Sequence, residues 1–345
     1  MEVGTDQLIN AHLPLERIGY GSCGSVWASP GVERGTSGVV LKRGDGLPER
    51  SIANEHHVHQ HILSTVCRTR YLTPTFFRVD IPLNFAFLGP QSDDEWAKLL
   101  PRLPAGSAPC QALINERIMP LPRQVRQLLV EQFWNGTDVS LIADDKRNEH
   151  CLVRPYLARQ SMFKSISLRN YPLHMDQIEQ LALPVEQYAL AMADALAFLH
   201  WEARIDANDV EFVLAQPRIA DAATGASIST DKTPPSIGAQ VFTPGVLGPH
   251  SMWLLDFDCC RELPMTEEGV RIAAERFWRN DPFFPNPDCK GCPEDERLWQ
   301  AFRGRYLDSS RVMLREETEA VQRLPGMVVA RIVETIGVYT RGIIQ

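Results

Sequence analysis

The sequence predicts an α+β protein of two lobes, and three features lead to this prediction. Residues 15–28, LERIGYGSCGSVWA, have the pattern of two strands joined by a glycine turn. The β-branched run GVVLKRG follows, and then a helical pattern over residues 51–63. After about residue 120, amphipathic helical patterns predominate. We therefore predict an antiparallel, strand-rich lobe with one helix over residues 1–118, and a mainly helical lobe over residues 119–345.

The remaining elements of the first lobe follow in order along the chain. The segment FFRVDIPLNFAFLG predicts a further strand and turn. Residues 90–110 are rich in Pro, Ser and Asp, show no strong periodicity, and are predicted to be an insertion. CQALINERIMPLP then predicts a strand that enters a proline-stopped linker, which ends the lobe.

The second lobe is predicted from helical stripes with one buried strand between them. PRQVRQLLVEQFW is amphipathic, and the alanine-rich VEQYALAMADALAFLHW favours a long helix. Residues 215–250 are predicted to be a loop insertion, and SMWLLDFD a short buried strand that ends in acidic residues. ERLWQAFRGRYL and MVVARIVETIGVYTRG predict the C-terminal helices.

The glycine turn indicates phosphate binding only in combination with later residues. A dinucleotide fold needs a helix directly after G-x-G-x-x-G, but Ser-Val-Trp follows Gly24 here and is strand-like. Lys42 ends the apolar run, and on a neighbouring strand its ammonium would point beneath the turn. Glu55, on the helix that follows, could pair with Lys42 and fix its position. The sequence therefore predicts a phosphate site at the turn.

These residues resemble the motifs of the protein-kinase-like fold. The G-x-G-x-x-G-x-V element matches Gly19, Gly21, Gly24 and Val26, and Val39-Val40-Leu41-Lys42 resembles V-A-I-K. In INERIMP, the resemblance implies that backbone groups near Glu116 and Met119 meet an adenine ring. It also implies a bilobal fold with ATP and Mg²⁺ as cofactors.

The second half of the resemblance lies after the long alanine-rich segment. Arg204-Ile205-Asp206 stands where H-R-D would be, so Asp206 matches the catalytic acid. Glu211 stands where the family has a metal-binding Asn, and Asp256-Phe257-Asp258 resembles D-F-G. The resemblance implies that Lys42, Glu55 and Asp206 are catalytic and that Asp256, Glu211 and Asp258 bind metal. SLRNYPLH, LAFLHWEARIDANDVEFVL and NDPFFP also resemble a fungal family of kinase-like proteins with no settled activity.

Several departures from the kinase pattern leave the function open. Glu211 replaces Asn, Asp258 replaces Gly, and no A-P-E motif follows. The leading hypothesis is ATP-dependent phosphoryl transfer to the hydroxyl or carboxylate of a small molecule. One alternative is an ATP-binding pseudokinase that acts as a scaffold, with a protein partner left open. Another is an enzyme of the same fold that uses ATP for ligation or AMP transfer.

Two weaker patterns predict sites elsewhere in the chain. Cys289-Lys-Gly-Cys292 has CxxC spacing and Cys259-Cys260 are adjacent, so zinc is a candidate ligand, although adjacent cysteines are poor zinc-knuckle geometry. Residues 154–169 are locally basic and could bind an acidic acceptor, but solvated side chains are the simpler interpretation.

The overall composition limits the partners. The formal net charge is −8, which argues against nucleic acid as the main partner. The sequence shows no apolar run long enough to span a membrane and no signal peptide. The eight cysteines are therefore interpreted as reduced thiols of a cytoplasmic protein.

Overall fold

The computed structural model describes most of the chain. The described residues are 8, 12–30, 38–69, 78–134, 136, 138–158, 167–218, 240–243, 245–280, 282–289 and 291–338. Within them the protein is a mixed α+β structure that contains an antiparallel five-stranded sheet and a mixed five-stranded sheet. The α+β class predicted from the sequence is confirmed.

The first sheet is formed before residue 118, where strands were predicted. Its order is β1-β2-β3-β5-β4, and every neighbouring pair is antiparallel. The strands are β1 Glu16–Tyr20, β2 Ser25–Ala28, β3 Val39–Arg43, β4 Asn84–Leu88 and β5 Ala112–Glu116.

Within the described residues, two helices accompany this sheet, although the sequence predicted one. Helix α1, Ile52–Thr69, is longer than the predicted 51–63 and packs its buried face into the main core. Helix α2, Asp93–Leu99, lies within the segment that was predicted to be an insertion. Its residues Trp96 and Leu99 are buried in a separate apolar cluster with strand residues such as Leu41. A helix of two turns is too short to produce a clear amphipathic period, which explains why the sequence did not reveal it.

The second sheet was not predicted as such from the sequence. Its order is β7-β6-β8-β10-β9, in which β6 and β7 are parallel and the other pairs are antiparallel. The second half therefore contains a complete sheet in addition to its helices. Its strands are β6 Val153–Tyr156, β7 Tyr171–His174, β8 Glu211–Ala215, β9 Val241–Phe242 and β10 His250–Leu255.

Helices surround the second sheet and enclose the main core. Helix α6 is buried on nearly all sides and packs against α8, joined by ion pairs between Asp194 and Arg305. Its many alanines allow this close approach, because Ala presents no long side chain. The helices are α3 Arg123–Phe133, α4 Val139–Asp144, α5 Met175–Gln180, α6 Val185–Trp201, α7 Glu267–Arg279, α8 Pro293–Met313, α9 Glu319–Gln322 and α10 Leu324–Glu334, with 3₁₀ turns at Leu100–Arg102 and Lys146–Asn148.

Two further predictions concern the insertion and the membrane. Most of the predicted insertion 215–250 lies outside the described residues, which resume at Gln240. Among the described helices, none combines the length and the apolar character that crossing a bilayer requires.

Candidate functional site

An ion-paired triad joins residues that are far apart in the chain. The Lys42 ammonium lies 2.7 Å from the carboxylate of Glu55 and 2.8 Å from Oδ1 of Asp256. The Lys42 and Glu55 side chains are 14% and 4% exposed, whereas that of Asp256 is 26% exposed. The structure therefore brings together the predicted lysine, its predicted helix partner and the first acid of the D-F-D segment.

The strand pairing explains how these side chains meet. Lys42 lies opposite Val26 in the pairing of β2 with β3, one strand away from the glycine turn. Asp256 directly follows Leu255, the last residue of β10, which lies opposite Glu211 at the start of β8. Asp256 has a φ of 69°, in the left-handed region that non-glycine residues rarely adopt. Such strain is common where the surrounding structure fixes a functional side chain.

Burial and charge shift the pKa values of the triad in different directions. Burial tends to raise the pKa of Asp256, but the charge and hydrogen bond of Lys42 outweigh it, so this pKa is lowered. Burial tends to lower the pKa of Lys42, but Asp256 and Glu55 raise it well above the ordinary lysine value. Burial raises the pKa of Glu55 to about 7, although Lys42 acts against this. Lys42 and Asp256 thus form the charged pair of the site.

The glycine turn of the first sheet lines the same cavity as the triad. The amide of Gly21 donates to the carbonyl of Gly24 at 2.9 Å, and the reverse hydrogen bond is 3.2 Å long. Gly24 has a φ of 146°, and a Cβ there would lie 1.9 Å from the carbonyl oxygen of Arg43. A Cβ on Gly21 would meet nothing within 4 Å. Gly24 is therefore required by the packing of the turn, whereas Gly21 borders open space.

A cavity of about 440 Å³ extends from the triad between the two sheets. Its volume falls within the usual range for small-molecule sites, about 300–1,000 Å³. The cavity has an apolar part between side chains of the two sheets and a polar end at the triad. The apolar lining includes Ile18, Val26 and Val40 from the first sheet, Val213 and Leu255 from the second, and Leu152 just before β6.

Of the two residues whose backbone groups were predicted to meet an adenine ring, only Glu116 lines the cavity. Glu116 lines the cavity, but its amide donates to Leu83 and its carboxylate accepts from Arg218. Met119 is not among the residues that line this cavity, and its carbonyl accepts the amide of Gln216 at 3.0 Å.

Asp206, the predicted catalytic acid, is not among the residues that line the cavity. It is 1% exposed, and its Oδ1 accepts the amides of Arg261 at 2.8 Å and Asn208 at 3.2 Å. Burial raises its pKa, with these hydrogen bonds acting in the opposite direction. Asp209 does line the cavity, and its φ of 63° is left-handed like that of Asp256. The loop therefore presents a different carboxylate to the cavity from the one that the sequence indicated.

The other two predicted metal ligands are both bound by arginines. Glu211 lines the cavity, and its oxygens lie 2.7 and 2.5 Å from Nη2 of Arg154. Burial raises the pKa of Glu211 to about 7, and Arg154 only partly offsets this. Asp258 has a side chain with no exposed area, and it lies 3.2 Å from Arg50.

Sequence reasoning missed both arginines as parts of the site. Arg50 also lies 2.6 Å from Asp209 and 2.7 Å from Sγ of Cys259. Arg50 therefore lies at the centre of the cluster Asp209, Asp258 and Cys259. Among the described residues, this is the one group of three or more His, Cys, Asp or Glu residues whose potential metal-ligating atoms lie close together. Arg50 has no motif around it, and Arg154 was noted only as part of a basic segment.

In the described structure, the cysteine thiols considered for zinc contact different protein groups. Cys260 Sγ contacts the carbonyl of Asn208 at 3.4 Å, and Cys289 Sγ contacts the carbonyl of Pro287 at 3.5 Å. Cys292 Sγ lies 3.5 Å from Glu294. Arg159 and Lys164 of the predicted basic segment lie outside the described residues.

Comparison with protein families identifies one similarity. The sequence model of a family described as "Zinc finger protein" matches residues 252–318. The match begins within β10 and extends through α7 and α8, so it includes Asp256 and the four cysteines considered for zinc. The chain is thus similar to that family over this segment. The comparison with curated proteins returned no match.

This similarity corrects the family prediction made from the motifs. The matching family is described as zinc finger proteins, so the assignment to the kinase-like superfamily, and to a fungal family within it, is wrong. The descriptions that came with it, kinase-like, ATP-binding and transferase, conflict with the family description as well. The short motifs misled because a few glycines, one lysine and five acids carry little family information over 345 residues.

Proposed function

We propose that the cavity binds a nucleoside triphosphate with a divalent cation, and that the protein transfers a phosphoryl group from it to a small-molecule acceptor. The observation that carries the proposal is the convergence of Lys42, Glu55 and Asp256 beneath the glycine turn. The proposal depends on this geometry and on no family assignment.

The two parts of the cavity match the two parts of such a ligand. The apolar slot between Val40 and Val213 suits a flat aromatic base, which needs burial on both faces. Lys42 at the polar end would bind phosphate oxygens, and Glu55 would orient it. In this proposal the first sheet with α1 and α2 forms one lobe, and the second sheet with its surrounding helices forms the other.

Asp256 fits a metal ion that arrives with a nucleotide. Lys42 contacts its Oδ1, so Oδ2 is the oxygen that would coordinate the ion. Mg²⁺ commonly uses one or two carboxylates together with substrate phosphates, so a single carboxylate is sufficient. The ion would neutralise negative charge on the phosphates. Asp209 is the cavity carboxylate that would position the acceptor molecule and take up its proton. Asp206 is buried outside the cavity, and its Oδ1 accepts a backbone hydrogen bond.

The proposal is tested by nucleotide binding and turnover in purified protein. Calorimetry with ATP and Mg²⁺ should show binding that Lys42→Met and Asp256→Asn each abolish. Arg271→Ala, on the exposed face of α7, is the matched control and should bind as the wild type does. Absence of binding in the wild type would refute the proposal.

Product analysis then separates the remaining alternatives. ADP formation that rises with a pool of small metabolites supports phosphoryl transfer. AMP formation would indicate ligation or AMP transfer, and binding with no turnover would indicate a scaffold.

A further inference from the structure

The carboxylate of Glu211 is held by an arginine from the neighbouring strand. Both of its oxygens lie within 2.7 Å of Nη2 of Arg154, and the two side chains are 23% and 22% exposed. Each Glu211 oxygen thus already accepts a charge-assisted contact from the same guanidinium nitrogen, and Arg154 compensates its charge. Glu211 is therefore poorly suited to coordinate a metal ion.

The sheet geometry fixes this pairing on the cavity side. Strand β6 runs antiparallel to β8, with Val153 opposite Leu214, and both of these residues belong to the main core. Side chains alternate along a strand, so Arg154 and Glu211 point to the opposite face, where both line the cavity. Asp256 follows the residue that lies opposite Glu211, which brings all three groups to the same end of the sheet.

Each of the three acids predicted as metal ligands faces a different cation. Asp256 is paired with Lys42, Glu211 with Arg154, and the unexposed Asp258 with Arg50. The pair around Asp256 leaves one carboxylate oxygen toward the cavity, and the other two pairs use both oxygens. Of these three acids, Asp256 alone therefore offers an unpaired oxygen to a metal ion.

We propose that Arg154 takes the place of a second divalent cation, so that the cavity binds a nucleotide with a single metal ion. Arg154 is then a positioning residue that contributes guanidinium N–H donors beside the phosphates, with Glu211 as the group that orients it. This inference rests on the proposed function, because it concerns the same cavity.

The test is the number of Mn²⁺ ions bound per chain, counted by electron paramagnetic resonance with a non-hydrolysable ATP analogue. The wild type should bind one Mn²⁺ with the analogue. Glu211→Gln should still bind one, whereas Asp256→Asn should bind none. Arg154→Gln should weaken binding of the analogue at least about tenfold, which corresponds to about 1.4 kcal/mol, and leave the Mn²⁺ count at one.

Two results would overturn the inference, and controls separate them from misfolding. Two Mn²⁺ ions in the wild type, one of them lost in Glu211→Gln, would show that Glu211 is a metal ligand. Binding of the analogue that is unchanged in Arg154→Gln would show that the arginine has no positioning role. The double variant Arg154→Gln with Glu211→Gln, which leaves no unpaired charge, repeats the Mn²⁺ count if a single variant unfolds. No binding of the analogue to the wild type would refute the proposed function and this inference together.

Discussion

The Lys42 ammonium lies 2.8 Å from the Asp256 carboxylate, although 214 positions separate the two residues in the chain. The contact joins a central strand of the first sheet to the residue that follows β10 of the second. Both residues line the cavity, so the ion pair is both a link between the sheets and the polar part of the proposed ligand site. Its removal should therefore affect stability as well as binding.

Replacement of Lys42 by methionine should lower the free energy of unfolding by about 3 kcal/mol, because it leaves Glu55 and Asp256 without their buried cation. Urea unfolding at pH 7.5 measures this. The double variant Lys42→Met with Glu55→Gln should recover part of the loss, because a neutral amide then replaces the buried carboxyl group that has lost its partner. A change below about 0.5 kcal/mol in the single variant would contradict a structural role for the ion pair.

The glycine turn offers a matched pair of substitutions. Gly24→Ala should destabilise the protein by about 2 kcal/mol, because its φ is positive and its Cβ would strike the Arg43 carbonyl. Gly21→Ala should change stability by less than about 0.5 kcal/mol, because its Cβ would meet nothing within 4 Å. Thermal unfolding of both variants measures the difference. Equal losses would show that the turn is not built as described.

His200 predicts a pH-dependent contribution to stability. Burial lowers its pKa to about 3, below the ordinary value of 6.5, and its Nδ1 lies 3.0 Å from the hydroxyl of Tyr306. The unfolded chain therefore binds the proton more tightly, so the stabilising contribution is complete above pH 6.5 and is lost as the pH falls toward 3. The cost of His200→Gln should be about 2 kcal/mol smaller at pH 5 than at pH 7.5.

Urea unfolding at the two pH values compares His200→Gln with the wild type. The difference between the two proteins isolates the effect of His200. Burial raises the pKa of Asp80 to about 7, so such carboxylates change the stability of both proteins with pH in the opposite direction. The surface variant Arg271→Ala should show no such pH dependence. A cost of His200→Gln that is the same at both pH values would refute the assignment.

Zinc content tests the thiols in the segment that resembles zinc finger proteins. In the described structure, the thiols of Cys260, Cys289 and Cys292 contact different protein groups. Mass spectrometry of protein purified without chelator should therefore find well below one zinc ion per chain, and added EDTA should not lower the melting temperature. One tightly bound zinc per chain, lost in a variant with Cys289→Ser and Cys292→Ser, would reverse this expectation.

Parts of the site with local signals were predictable from the sequence. The glycine turn, the strand that ends near Lys42, the helix with Glu55 and the buried strand before Asp256 each follow from a short pattern of residues. Such patterns depend on neighbours in the chain, through alternation in strands and capping in helices. The same short patterns did not identify the family, because they are common to unrelated proteins.

Only the tertiary structure decided which charged groups meet. The second sheet joins short strands from distant segments, including the parallel pair β6 and β7, so no local pattern marks it. That sheet brings Arg154 to Glu211, and the start of α1 brings Arg50 to Asp258, while the loop after α6 presents Asp209 to the cavity and buries Asp206. The sequence determined which side chains are available at the ends of its elements. Their partners were set by non-local packing, because the energy of an ion pair depends on the distance in space and on burial, not on separation along the chain.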